Sequence, residues 1–149
     1  MNKICTTIEE SQKLIQLGID VNTADMRYGY IAPYDFSDRM YDGGYDEVPY
    51  PKDFLKKNPN FSANEYEEEL PAWSLSALLE LMPPYLFEFE RGIDLNIYPN
   101  LNGKGWHCSY MPNAVENMKN DKFKQITNGD NPIDAAFEMV CWLLENKKI

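Results

Sequence analysis

Long apolar runs, paired cysteines, histidine and an excess of positive charge are all scarce in this chain, and each scarcity removes a class of function. No stretch approaches the roughly 18 consecutive apolar residues that mark a membrane-spanning helix. Lys and Arg number 14 against 24 Asp and Glu, a net charge of −10. A broad nucleic-acid surface is excluded, because phosphates would meet like charge. The three cysteines, Cys5, Cys108 and Cys141, are odd in number, widely spaced and form no CxxC pair. Neither a disulfide framework nor structural zinc, which wants two close pairs of soft ligands, follows from that spacing. A reduced compartment fits best. The opening residues Met1 to Thr7 hold no apolar signal core, so the expectation is a cytoplasmic protein with no membrane association.

What is present is enough for a folded domain. With 149 residues, 44% of them apolar and 13% aromatic, the chain can bury roughly two-thirds of its unfolded surface, far from the disordered class. No internal repeat or second core is evident, so a single domain over residues 1–149 is expected.

Three helices can be read from caps and periodicity. Thr7 and Glu10 have capping-box spacing ahead of Ile8, Leu14, Ile15 and Leu17, and Gly18 suits a helix end. Ser74 can cap a second helix carrying Leu75, Leu78, Leu79 and Met82 on one face, stopped by Pro83-Pro84. Trp73, just before that cap, is placed to staple the helix against Ala77 or Leu78. The third has Asn131 at its cap, Pro132 at the first position and Asp134 in the first turn. Its stripe is Ile133, Ala136, Phe137, Val140 and Leu144, widened by Met139, Trp142 and Leu143. Lys147 and Lys148 complement its C-terminal end.

Between the second and third helices the period changes to two. Tyr85, Phe87 and Phe89 alternate with Leu86, Glu88 and Glu90. After a turn at Arg91-Gly92, Ile93, Leu95 and Ile97 alternate with Asp94, Asn96 and Tyr98. A turn over Pro99 to Gly103 leads to Trp106, Cys108 and Tyr110. The prediction is an α+β fold, a three-stranded antiparallel meander packed against two to three helices. Residues 112–131 are polar, with room for a short helix at Ala114 to Met118.

Residues 22–72 read as a long irregular segment. Six of the ten tyrosines lie between Tyr28 and Tyr50, interleaved with Asp35, Asp38, Asp42, Asp46 and Glu47, and punctuated by Pro33, Pro49 and Gly43-Gly44. A short helix at Asp53 to Lys57 or a functional arm would account for its length. Tyrosine offers wide contact area at low entropic cost, which makes Tyr34, Asp38, Tyr41, Tyr45 and Asp46 the candidate binding residues. The competing role for these tyrosines is packing over an open sheet face.

Catalytic signatures are thin. His107 and Cys108 are neighbours on a strand and point to opposite faces, so they cannot form a dyad. Asp42-Gly43-Gly44-Tyr45-Asp46 lacks calcium-loop spacing. Asn102-Gly103-Lys104-Gly105 joins two strands, whereas a phosphate cradle precedes a helix. No catalytic residue, metal or cofactor is assigned from the sequence.

Three stretches carry a resemblance: Asn22-Thr23-Ala24-Asp25-Met26; Pro71-Ala72-Trp73-Ser74-Leu75 through Pro83; and Asp134-Ala135-Ala136-Phe137 through Asn146. Together they are similar to a family of small uncharacterised proteins of gut Bacteroidales and their phages. That family often carries glycine where Asn146 stands, and asparagine can also adopt the left-handed helix cap. That family has no assigned activity, so the resemblance supplies no catalytic residues; it implies a phage or mobile-element context. The expectation is therefore a non-enzymatic accessory protein that binds a host protein, with a basic partner favoured by the net charge. A small-molecule binder, of nucleotides for instance, and an enzyme using the acidic residues stay open. The sequence leaves the oligomeric state undetermined.

Overall fold

In the computed structural model, residues 2–29, 31–33, 48–63, 70–88, 91–112 and 125–149 are described. The fold is α+β. Its largest element is a four-stranded antiparallel meander of β6 (Tyr85–Glu88), β7 (Arg91–Pro99), β8 (Trp106–Pro112) and β9 (Gln125–Gly129). Three of these strands are the predicted ones. The fourth corrects the reading of residues 112–131 as polar connection: Gln125 to Gly129 pairs with Tyr110 to Trp106. Its own sequence has no clear alternation, and its strand state comes from the β8 edge beside it. The helix expected at Ala114 to Met118 lies outside the described residues.

Register settles which face is buried. Leu86 pairs with Ile93, Leu95 with Tyr110 and Ile97 with Cys108. Leu86, Cys108 and Tyr110 are buried. On β6, therefore, Leu86 faces the core, and Tyr85 and Phe87 pair with Asp94 and Gly92. Arg91-Gly92 belongs to β7 rather than to the turn, since Glu88 pairs with Arg91. The next turn falls as expected, with Asn100 N–H donating to Gly105 O at 3.0 Å and Gly103 and Gly105 at φ 75° and 77°.

Helix α4 (Pro132–Glu145) covers the buried face. Asn131 caps it, its side chain accepting from Asp134 N–H at 3.0 Å. Ile133, Ala135, Ala136, Phe137, Met139, Val140, Cys141 and Leu143 are all buried, a wider face than the predicted stripe, while Trp142 and Leu144 lie at its margin. The helix sits close to the sheet because β9 ends in glycine. A Cβ on Gly129 would stand 2.4 Å from Ala135 N and 2.5 Å from Asp134 Cβ. Thr127 closes the same junction, its hydroxyl donating to Ala135 O at 2.7 Å. At the far end the left-handed residue is Lys147, at φ 54°, and not Asn146, which keeps φ −96° and donates its side-chain amide to Trp142 O.

Helices α1 (Ile8–Gln16) and α3 (Leu75–Leu81) bring Leu14, Ala77, Leu78 and Met82 to the same core. Both predicted caps form. Thr7 and Glu10 make the reciprocal capping box, and the Ser74 hydroxyl accepts from Ala77 N–H at 3.3 Å. Trp73 is fully buried with Ala77 and Leu78 in this core. On α1, Leu14 is buried as expected, but Ile15 is 37% exposed and Ser11 is buried in its stead. Gly18 ends the segment at φ 95°.

The segment read as irregular is partly ordered into strands. A second antiparallel sheet has the order β3 (Val48–Pro51), β1 (Met26–Gly29), β5 (Leu70–Ala72). A two-stranded pair joins β2 (Ile31–Pro33) to β4 (Phe61–Ala63). These strands form sheets of their own and do not extend the meander. Pro49, Pro51 and Pro71 all lie on the edge strands β3 and β5, where a missing N–H is tolerated. The short helix α2 (Phe54–Lys57) appears where expected. Among the described residues no helix is long and apolar enough to cross a membrane.

Candidate functional site

The N-terminal sheet is knitted to the rest of the molecule by polar contacts. Thr6 is fully buried. Its hydroxyl lies 2.8 Å from the Ser11 hydroxyl and accepts from Trp73 N–H at 3.0 Å. Its carbonyl accepts from the Tyr28 hydroxyl at 2.9 Å, and its N–H donates to Trp73 O. Trp73 Nε1 donates to the Thr23 hydroxyl at 2.9 Å. Asp25 accepts from Ser74 N–H at 2.8 Å and from the Ser74 hydroxyl. Thus the 20–25 turn and the start of α3 are locked together, and the Ser74 hydroxyl is engaged on both sides, by Asp25 and by Ala77 N–H.

That junction borders a large cleft of about 960 Å³. One wall is the stretch 22–26, another is Pro51, Lys52, Asp53 and Lys56, and the third is Ala77, Glu80 and Leu81 of α3. Apolar side chains lie between charged ones. Asp53 is paired with Lys57 at 2.5 Å, which holds its carboxyl below the usual range.

A smaller groove of about 410 Å³ shares Asn22, Ala24, Met26 and Lys52 with the larger cleft. Ile15, Val21, Arg27, Leu70 and Pro71 complete its lining. Ile15 and Val21 are 37% and 45% exposed, so apolar surface faces solvent here.

Tyr34, Asp38, Tyr41, Tyr45 and Asp46 lie outside the described residues, as does Tyr30. Of the six clustered tyrosines, the described ones are Tyr28 and Tyr50. Tyr28 donates to Thr6 O, and its phenol is pushed upward by burial and by its contact with Cys5. Tyr50 is buried and stands under Gly29. These two are packing residues.

The thiols are free and buried. Burial pushes Cys108 and Cys141 up to about 12, and Cys5 is raised by the same cause. Such thiols stay protonated near neutrality, so none is a ready nucleophile. His107 packs its ring on Tyr98, centroids 5.3 Å apart. Its Nδ1 and the Ser109 hydroxyl are buried without a hydrogen-bond partner among the described residues. Among those residues, no three of His, Cys, Asp and Glu gather closely enough to hold a metal ion.

The cleft residues carried no sequence signal. They come from three separated stretches with no motif spacing, and Ile15 reads from periodicity as a core residue. The stretches 22–26 and 71–83 meet at this junction. Comparisons with family models, with curated proteins and with solved structures return no match.

Proposed function

We propose that this protein is a non-enzymatic binding module, an accessory protein of phage or mobile-element context that acts by contact with a host protein. The observation that carries the binding reading is the larger cleft. Ala24, Met26, Pro51 and Leu81 line its walls, with Lys52, Lys56 and Glu80 among them. An apolar centre with a charged, solvated rim is the layout of a protein–protein contact. The phage context rests on the sequence resemblance alone. The net charge of −10 speeds the approach of a basic surface at low salt.

The buried thiols make a clean test possible. Glu80→Cys introduces a reactive thiol at the cleft that a photocrosslinker can label selectively, and Leu101→Cys does so at the fully exposed turn between β7 and β8. In host lysate, the Glu80 position should capture a protein that excess unlabelled parent competes away, and the Leu101 position should not. Equal capture from both positions, or none from Glu80, overturns the reading.

A second reading has one observation in its favour. The cleft volume lies at the upper end of the roughly 300–1,000 Å³ span of small-molecule sites. A thermal-shift screen against nucleotides and metal ions separates it, since a ligand held by the folded state raises the midpoint.

A further inference from the structure

The sequence holds two Asn-Gly pairs, Asn102-Gly103 and Asn128-Gly129. Such a pair can react with itself, because the glycine has no side chain to shield its nitrogen from the asparagine amide. Both asparagines are exposed, so access of solvent does not separate them. The backbone does. Asn102 sits in the turn between β7 and β8, where its Oδ1 accepts from Lys104 N–H at 3.0 Å. The ring closed by that bond contains both the Asn102 amide carbon and the Gly103 nitrogen, so the side chain lies folded over its own following peptide unit. Gly103 and Lys104 are exposed, and a Cβ built on Gly103 would meet nothing within 4 Å. No packed neighbour resists a small movement there. Asn128, by contrast, lies in β9 opposite His107, and Gly129 pairs with Trp106. Extended backbone carries the Asn128 side chain off the face of the sheet, away from the next peptide nitrogen. Gly129 is also wedged against α4, where a Cβ would stand 2.4 Å from Ala135 N.

From this contrast we infer that Asn102 is a self-modification site, at which the side-chain amide is exchanged for a carboxylate with water as the co-reactant. The Gly103 nitrogen, giving up its proton to hydroxide or a buffer base, attacks the Asn102 amide carbon. The oxygen that gains negative charge is Oδ1, which already holds the Lys104 N–H, a donor aimed where the charge develops. The bond from that carbon to the side-chain nitrogen breaks, and ammonia leaves with a proton from solvent. A cyclic imide remains. Water opens it at one carbonyl to give aspartate, or at the other to give isoaspartate, in which the side-chain methylene has joined the main chain. Nothing is oxidised or reduced. Gly103 N–H donates to Asn100 O at 3.0 Å, and that bond must open first. Exposed loops move in nanoseconds to microseconds, far faster than amide chemistry, so the opening does not limit the rate. The same attack at Asn128 needs a backbone rotation that strips β9 from β8. The product places a new negative charge beside Leu101, the fully exposed residue of the turn.

The test uses the full chain in mildly alkaline buffer, folded and unfolded in guanidinium chloride, with its peptides mapped by mass over time. Each site is compared with its own rate in the unfolded chain. Folded, Asn102 should convert within about threefold of that rate, and Asn128 at least about tenfold below it, because only the second must wait for a strand to open. Fragmentation of the converted peptide should find isoaspartate together with aspartate at position 102. Asn102 keeping its amide in the folded chain, Asn128 converting there as fast as it does unfolded, or aspartate without isoaspartate would each overturn the proposal.

Discussion

Behind the four-stranded sheet, α4 alone places eight buried side chains against Cys108, Tyr110 and their neighbours. Behind the three-stranded sheet the buried apolar cluster is Cys5, Met26 and Ala72, with Tyr28 packed on it. The second sheet is held by other means: the Thr6 hydroxyl between Ser11 and Trp73 N–H, Tyr28 on Thr6 O, and Asp25 on Ser74. Apolar packing is non-directional and tolerates little empty space. A hydrogen-bonded junction fixes geometry with little bulk and leaves clefts beside it. Both clefts are lined by residues of this junction, Asn22, Ala24 and Met26 among them.

That contrast breaks first at Phe137, which is 5% exposed in the α4 core. Phe137→Ala should cost about 3–5 kcal/mol, the range for deleting a buried aromatic. The measurement is urea unfolding of variant and parent. A loss under about 1 kcal/mol would mean that α4 is not where stability resides. Gly129→Ala probes the same region from the backbone side. The added methyl would meet Ala135 N and Asp134 at 2.4–2.8 Å, and these atoms belong to the fixed first turn of α4. A loss of about 1–3 kcal/mol is expected from overpacking. An unchanged midpoint would show that helix and strand can part without cost.

Thr6→Val sharpens the comparison from the other side. It keeps the shape and removes the hydroxyl, leaving Ser11 and Trp73 N–H without their partner. Stranding buried polar groups should cost about 1–3 kcal/mol. The loss should also appear as faster amide exchange at residues 26–28 and 70–73, with α4 slow as before. Uniform acceleration across the molecule would refute a separate, hydrogen-bonded region. The thiols give a chemical version of the test. Their raised values mean that stability is complete below about pH 8.5, the unfolded thiol value, and falls as pH rises towards about 12 for Cys108 and Cys141. Replacing Cys108 with Ala should flatten this alkaline decline of stability. An unaltered slope would show that the Cys108 thiol is not shielded by the fold.

Much of the apolar region was legible in the sequence because it is written in local rules. The Thr7–Glu10 box, the Ser74 cap and the Asn131-Pro132 start all form as their chemistry dictates. Three strands of the meander follow from alternation. β9 was not legible, since Gln125-Ile126-Thr127-Asn128-Gly129 becomes a strand only by pairing with β8. The second sheet was hidden for a related reason. Its strands are three or four residues long, carry prolines and pair across dozens of residues, as Met26 does with Ala72 and Pro51. The clefts were illegible because they are gaps between such non-local pairings. Even Ile15, whose spacing on α1 points inward, ends 37% exposed at a groove because Ser11 takes the buried place beside Thr6.

The smallest expected effect concerns how the N-terminal segment is pinned between the two regions. Lys3 donates to Glu10 at 2.6 Å and to Asp134 at the start of α4, so one ammonium ties residues 2–7 to both helix N-termini. Burial pulls this ammonium down, and the two carboxylates outweigh it, leaving its value raised above 10.5. A raised lysine contributes stability that is fully present below about 10.5 and lost as pH climbs through the higher folded value. Lys3→Met should therefore cost about 0.2–1 kcal/mol near neutrality, the scale of partly solvated ion pairs. The difference between variant and parent should shrink above pH 10.5, where the parent loses the same charge. High salt should also narrow it. A difference that persists unchanged from pH 7 to 11 would show that Lys3 acts through its hydrocarbon stem alone. The junction between the regions would then be secured by the Thr6 and Asp25 hydrogen bonds without electrostatic help.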